Sequence, residues 1–115
     1  ESTASNVQED SIFVKVEYQW VRVGYDDILY IEGLKDYVKI HLQSTGKFIL
    51  SLTSLKILEE RLPSSMFMRI QRSFIVSLKK INSITKGSLF IGKKEISVGE
   101  QYRDAFKDII DKWLM

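Results

Sequence analysis

The sequence contains no cysteine, one histidine and one proline among 115 residues. Disulfides and thiolate metal sites are therefore excluded, and a reducing, cytoplasmic compartment is expected. One histidine, His41, is too few for a histidine-based zinc site or a cysteine–histidine catalytic pair. The six glycines are isolated from one another, so no glycine-rich phosphate loop is present. These absences favour a binding module over an enzyme, with no catalytic residue, metal or cofactor.

Long apolar runs are also missing. No stretch approaches the roughly 20 apolar residues that cross a bilayer, so no membrane association is expected. The first ten residues, Glu1–Asp10, are polar and are predicted to form a tail or linker. Residues 11–115 are then long enough for one domain with one core. Because the chain begins with Glu1, we expect it to be part of a longer protein.

Charge is unevenly distributed along the chain, although the net charge is only +2. Residues 1–34 carry two basic and seven acidic side chains. Between Arg61 and Lys94 there are eight basic residues and no acid. A basic block of this kind favours a polyanionic partner, although a solvated basic face would give the same composition.

Period-two alternation of apolar residues predicts a series of short strands. Glycines at Lys86-Gly87 and Gly92-Lys93 suit the two-residue turns of hairpins. Strands are predicted over residues 11–17, 19–23, 28–32, 37–42, 47–50, 67–70, 74–76, 81–85, 88–91 and 95–98.

Helical spacing occurs twice. Leu55, Leu58 and Leu62 predict a short helix over Ser54–Arg61, capped by Thr53 or Ser54 and stopped by Pro63. A second apolar stripe predicts an amphipathic helix from about Glu100 to the end of the chain. The predicted fold is mostly β, with two short helices, one mid-chain and one C-terminal.

The segment Phe67–Val76, FMRIQRSFIV, places a polar triplet between two apolar runs. This pattern predicts a polar corner, residues 71–73, that is anchored in the core on both sides. Arginine carries a planar fork of donors that suits phosphate or guanine O6/N7, and glutamine pairs with adenine. A strand–turn–strand whose polar residues only face water has the same pattern, so the segment alone does not decide.

Three segments together resemble the LytTR family of bacterial DNA-binding domains. They are DDILYIEGLKDYVKIHL (26–42), FMRIQRSFIVSLKKINSI (67–84) and KKEISVGEQYRDAF (93–106). The resemblance implies an elongated arrangement of small antiparallel sheets that contacts double-stranded DNA through loops. It also implies the output domain of a two-component response regulator, with a receiver domain upstream and two copies on direct repeats.

The resemblance places DNA contacts at three polar interruptions, residues 34–37, 71–73 and 99–101. Three departures from the family matter: Gln71 stands where relatives often have histidine, Glu100 where some have arginine, and Asp36 near a histidine contact of relatives. Neither Asp36 nor Glu100 can bind phosphate, so each either accepts a hydrogen bond from cytosine N4 or makes no contact with DNA. With neighbouring basic residues added, the predicted DNA-binding residues are Lys35, Asp36, Tyr37, Lys39, Arg69, Gln71, Arg72, Ser73, Lys80, Glu100 and Gln101.

Sequence-specific binding of duplex DNA is the function that these observations favour. The alternative is a β-rich protein-interaction or RNA-binding module with a basic face. RNA-binding sheets often expose aromatic side chains for base stacking, and Tyr37 and Phe90 are candidates for such a role. No ribonucleoprotein motif accompanies them.

Overall fold

Antiparallel hairpins provide most of the ordered backbone of this protein. The computed structural model describes residues 10–114, so the predicted tail lies outside the described residues except for Asp10. The strands are β1 (Ser11–Val16), β2 (Gln19–Gly24), β3 (Ile28–Gly33), β4 (Val38–Leu42), β5 (Phe48–Ser51), β6 (Phe67–Gln71), β7 (Phe74–Ser77), β8 (Ser83–Thr85), β9 (Ser88–Ile91) and β10 (Lys94–Ser97). The α-helices are α1 (Leu55–Arg61) and α2 (Arg103–Asp111).

The strands form three small antiparallel sheets. The central sheet has five strands in the order β5-β4-β3-β7-β6, and β1-β2 and β10-β9-β8 form the other two. The pairing of β3 with β7, Ile31 opposite Ile75, joins parts of the chain more than 40 residues apart. The predicted mostly β architecture of small antiparallel sheets with two helices is confirmed.

The central sheet carries a hydrophobic cluster on each face, because neighbouring residues of a strand point to opposite sides. Ile31 and Ile75 belong to the first cluster, which lies against the β1–β2 hairpin and α1. Tyr30 and Val76 belong to the second, which lies against the three-stranded sheet and α2. Both faces of the sheet are therefore packed, and each helix covers one cluster.

Both helices begin and end for local reasons. At α1, the Ser54 hydroxyl accepts a hydrogen bond from the Ile57 amide at 3.2 Å, and Pro63 follows the helix, as predicted. The C-terminal helix is shorter than predicted, because Glu100–Tyr102 form a 3-10 turn and α2 ends at Asp111. Neither helix in the described part of the chain is long and apolar enough to cross a membrane.

The strand boundaries differ from the predicted ones in the three-stranded sheet. Strand β8 begins at Ser83 rather than Ile81, because a 3-10 turn over Leu78–Lys80 follows β7 directly. The two predicted hairpin turns are present, with Gly87 and Gly92 at φ values of +85° and +60°. Residues other than glycine rarely adopt these φ values, which explains why glycine occupies both turns.

His41 lies on β4, on the face of the central sheet that carries Tyr30. Its ring stacks on Tyr30 with centroids 4.2 Å apart and lies 5.6 Å from the ring of Phe48. Burial lowers the pKa of His41 from 6.5, although Glu32, 3.7 Å from Nε2, opposes the shift. The two cations that face it, Lys39 and Lys94, act in the same direction as burial.

This lowered pKa predicts a loss of stability in acid. The unfolded chain binds a proton at His41 more readily than the folded chain does, so stability rises with pH in this window. We expect the free energy of unfolding to fall as the pH drops below about 6.5, the ordinary value of the unfolded histidine, towards the folded pKa. Denaturation across this range measures the effect. The variant His41→Gln should lose this part of the pH dependence, and an unchanged profile would contradict the assignment.

Candidate nucleic-acid interface

The polar corner connects β6 to β7 and is anchored as the sequence predicts. Ile70 and Ile75 flank it, with 0% and 1% of their surface exposed. The register shifts between Arg69 and Gln71, so that Gln71 pairs with Phe74 across a tight turn. Phe74 itself is only half-buried, and the strongest anchoring therefore comes from the two isoleucines.

The first loop, residues 34–37, lies beside the polar corner. The amide of Gly33 donates a hydrogen bond to the Ser73 carbonyl at 2.8 Å. Within the loop, the amide of Leu34 donates to the Tyr37 carbonyl at 2.8 Å, which closes a tight turn. Lys35 and Asp36 are exposed at its tip. A direct backbone contact thus fixes this loop to the corner.

The third loop, residues 99–101, lies on the other side of the corner. The Gly99 amide donates to the Ile70 carbonyl at 2.7 Å. The Gln71 side-chain amide donates from Nε2 to the Ser97 carbonyl at 2.7 Å and to its hydroxyl at 3.1 Å. A β-carbon on Gly99 would lie 3.3 Å from that of Gln71, so the approach is close. Glu100 and Gln101 are exposed in the 3-10 turn that follows.

The three polar interruptions predicted from the sequence therefore lie side by side. We call this surface the loop edge and define it as residues 34–37, 71–73 and 99–101. The corner occupies its centre because the contacts from Gly33 and Gly99 reach it from opposite sides.

The predicted site residues of the corner differ sharply in how their side chains are engaged. Arg72 and Ser73 are exposed, and Arg72 makes no side-chain hydrogen bond or ion pair with any residue between 10 and 114. The side chain of Arg69 is 20% exposed, and its guanidinium is bonded on three sides. It donates to the carbonyls of Arg72 at 2.6 Å and Gln71 at 3.4 Å, and pairs with Glu59 at 3.3 Å.

Two of the predicted residues lie outside the loop edge: Lys39 on the adjoining strand, and Lys80 farther away. Lys39 is the second residue of β4, with its ammonium 4.7 Å from the ring of Phe48. Lys80 lies at the opposite end of the central sheet, where its ammonium donates to Gln43, just after β4. The length of β4 separates the two ends by roughly 14 Å. The structure therefore does not bring Lys80 to the loop edge.

Its neighbour Lys79 is engaged at the same distant end. The Lys79 ammonium lies 2.6 Å from the carboxylate of Asp26, and this hydrogen bond holds the pKa of Asp26 below its ordinary value. Both lysines belong to a 3-10 turn rather than to a strand, so strand alternation does not decide where they point.

Two further cations lie close to the loop edge. The carbonyl of Gly87 accepts a hydrogen bond from the Val98 amide at 2.9 Å, which places the Lys86-Gly87 turn beside the third loop. Arg103, at the start of α2, donates to the Val98 carbonyl at 3.4 Å, and both it and Lys86 are exposed. Arg103 was not among the DNA-binding residues predicted from the sequence, because its position is typical of any exposed residue of a helix. The available signal was its separation of only four residues from Gly99.

The fold is similar to that of a known DNA-binding domain. The solved LytTr DNA-binding domain of a methyl-accepting/DNA response regulator from Bacillus cereus matches with a TM-score of 0.74 over 90% of this chain and 98% of that domain. Their sequences are 22% identical, so this likeness concerns the fold alone.

The family is shown by the sequence. The family model described as the LytTr DNA-binding domain matches residues 18–111, nearly all of the described chain. The chain belongs to the LytTr DNA-binding domain family. The predicted resemblance is confirmed.

Curated relatives agree with this assignment. The sensory transduction protein LytT of Bacillus cereus is 33% identical over 82 residues, which cover 71% of this chain and 32% of the relative. That of Bacillus anthracis is 36% identical over 69 residues, which cover 60% of this chain and 27% of the relative. The chain thus spans about a third of the length of the curated relatives it matches.

Proposed function

We propose that this domain binds double-stranded DNA in a sequence-specific manner, with the loop edge as its contact surface. The observation that carries the proposal is the pair of backbone hydrogen bonds, from Gly33 to Ser73 and from Gly99 to Ile70, that holds three polar loops together. Loops held in this way present their side chains in a defined geometry, which base recognition requires.

Each exposed side chain of the edge has a role that suits its chemistry. Arg72, with its fork of donors unpaired in the described chain, binds guanine O6/N7 or a phosphate. Lys35 contacts phosphate. Lys39 lies next to the edge, on the adjoining strand β4. The hydroxyls of Ser73 and Tyr37 and the amide of Gln101 add hydrogen bonds to the backbone or bases.

Gln71 and the two acids of the edge read bases by accepting hydrogen bonds. Because Nε2 of Gln71 is engaged with Ser97, its Oε1 is the atom left for DNA. An acceptor at this position selects an exocyclic amino group, such as adenine N6 or cytosine N4. Asp36 and Glu100 accept from cytosine N4 in the same way, since a carboxylate repels phosphate.

We also propose that the domain is the output part of a transcriptional response regulator in the bacterial cytoplasm. The curated relatives are named sensory transduction proteins, and about two thirds of their length lies outside the match. An upstream receiver domain would fill this part, and two copies of the protein would occupy direct repeats.

Selection from random duplexes tests the proposal directly. The expected result is a common site that the domain binds much more tightly than a scrambled duplex of the same composition. Gel shifts with single-stranded RNA provide the second arm. Equal affinity for selected and scrambled DNA would overturn sequence-specific binding. A preference for RNA would favour the RNA-binding alternative.

The salt dependence of binding should report the cations near the loop edge. Lys35, Arg72, Lys86 and Arg103 are exposed there. Four phosphate contacts give a slope of log K against log salt of about −3 to −4. Replacing Lys86 by alanine should flatten the slope by about one, for all sequences alike. The matched control is Lys80→Ala, which should leave the slope unchanged; a flatter slope for that variant would mean that DNA reaches the far end of the sheet.

A further inference from the structure

We propose that Arg69 is a positioning residue that fixes the polar corner from inside, with Glu59 on α1 as its anchor. In this assignment Arg69 does not contact DNA, and its effect on binding passes through Arg72. The consequence for DNA rests on the proposed function, whereas the effect on the corner itself does not.

The guanidinium of Arg69 donates hydrogen bonds to both carbonyls of the turn, those of Gln71 and Arg72. Nη2 donates to the Arg72 carbonyl at 2.6 Å, and Nε lies 3.4 Å from the Gln71 carbonyl. A planar fork with fixed donor directions can reach both carbonyls at once, whereas a lysine ammonium acts as a point charge. Arg69 therefore sets the orientation of the two peptide groups that carry the exposed side chain of Arg72.

Glu59 connects this fork to the core. It lies on α1 and approaches Nη1 of Arg69 at 3.3 Å. Leu55 and Leu58 of the same helix are buried in the first hydrophobic cluster, with 5% and 3% exposure. Although the Glu59 side chain is 47% exposed, its backbone thus belongs to a packed element. The contacts form a continuous series from the core through α1 and Arg69 to the corner.

The geometry distinguishes this role from a direct phosphate contact. A guanidinium bonded to two carbonyls and a carboxylate has few donors left for DNA, and the Arg69 side chain as a whole is only 20% exposed. If Arg69 bound phosphate, Glu59 would compete with DNA for it, and removing Glu59 would strengthen binding. If Arg69 positions the corner, removing Glu59 weakens binding to the selected site.

Three variants separate the two roles, namely Arg69→Lys, Arg69→Ala and Glu59→Gln. The matched control is Glu60→Gln, which removes the neighbouring acid of α1, an exposed residue with no ion pair in the described chain. Affinity for the selected and scrambled duplexes is measured at several salt concentrations. Amide hydrogen exchange is measured at Arg72 and Ser73 without DNA.

The expected result is faster exchange at these two amides in all three variants and not in Glu60→Gln. Selected-site affinity should fall by about fivefold, the lower end of the loss expected for an arginine contact, with the salt slope unchanged. Unchanged exchange in Glu59→Gln would overturn the anchoring role, whatever the DNA result. A slope flattened by about one in Arg69→Ala, with Arg69→Lys like the unmodified domain, would identify a phosphate contact instead. If the unmodified domain fails to discriminate between duplexes, the proposed function is wrong, and hydrogen exchange still tests the positioning role.

Discussion

Replacing Ile70 by alanine is expected to lower the free energy of unfolding by about 2–5 kcal/mol, the range for truncating a buried aliphatic side chain. Ile70 is 0% exposed and belongs to the second hydrophobic cluster. It stands between Arg69 and Gln71, and its carbonyl accepts the hydrogen bond from Gly99. Loss of its side chain leaves a cavity under the polar corner and weakens the part of β6 to which the third loop is hydrogen-bonded. Chemical denaturation measures the change.

Ile57→Ala is the matched control, because the same atoms are removed from a side chain that is 48% exposed on α1. Its effect should stay within about 0.5 kcal/mol, as for most surface substitutions. Equal destabilisation by the two variants would contradict the anchoring of the corner in the core.

Replacing Arg72 by alanine is expected to weaken binding to the selected duplex by about 1–3 kcal/mol, the loss for a good base or phosphate contact. Its side chain is exposed at the centre of the loop edge, and its guanidinium has no partner in the described chain. The fold should be unaffected, since the Arg72 side chain makes no hydrogen bond or ion pair with residues 10–114. Binding isotherms, with a melting curve for each protein, measure both quantities.

Arg61→Ala removes the same charge from an exposed position at the end of α1, where Arg61 lines a cavity with residues of the β1–β2 hairpin. This control should bind as the unmodified domain does. If Arg72→Ala retains full affinity for the selected site, Arg72 does not contact DNA. An equal loss in both variants would indicate that net charge, rather than the corner, determines affinity.

Local features of this fold could be predicted from the sequence because their causes are local. Ser54 and Pro63 mark the limits of α1, and the glycines at 87 and 92 mark two hairpin turns. Apolar alternation located the strands to within a few residues. The pairing of β3 with β7 could not be predicted in this way, because it joins residues that are distant in the chain.

The engagement of individual charged side chains could not be predicted either. Arg69 and Arg72 have the same chemistry and lie three residues apart, yet one is bonded on three sides and the other is exposed. The difference arises from the carbonyls of the turn, which face Arg69, and from Glu59, which tertiary packing of α1 brings to the same guanidinium. Likewise, Lys79 and Lys80 belong to the basic block, but Asp26 and Gln43 hold them at the far end of the sheet.

If DNA contacts one end of the central sheet through the loop edge, as we propose, the two ends of the sheet should respond differently to DNA. Titration of the isotopically labelled domain with the selected duplex, followed by amide chemical shifts, measures this difference. The largest shifts are expected at residues 34–37, 71–73 and 99–101, with no significant shift at Gln43, Lys79 or Lys80. Large shifts at Gln43, Lys79 and Lys80, with the loop edge unchanged, would show that DNA binds elsewhere.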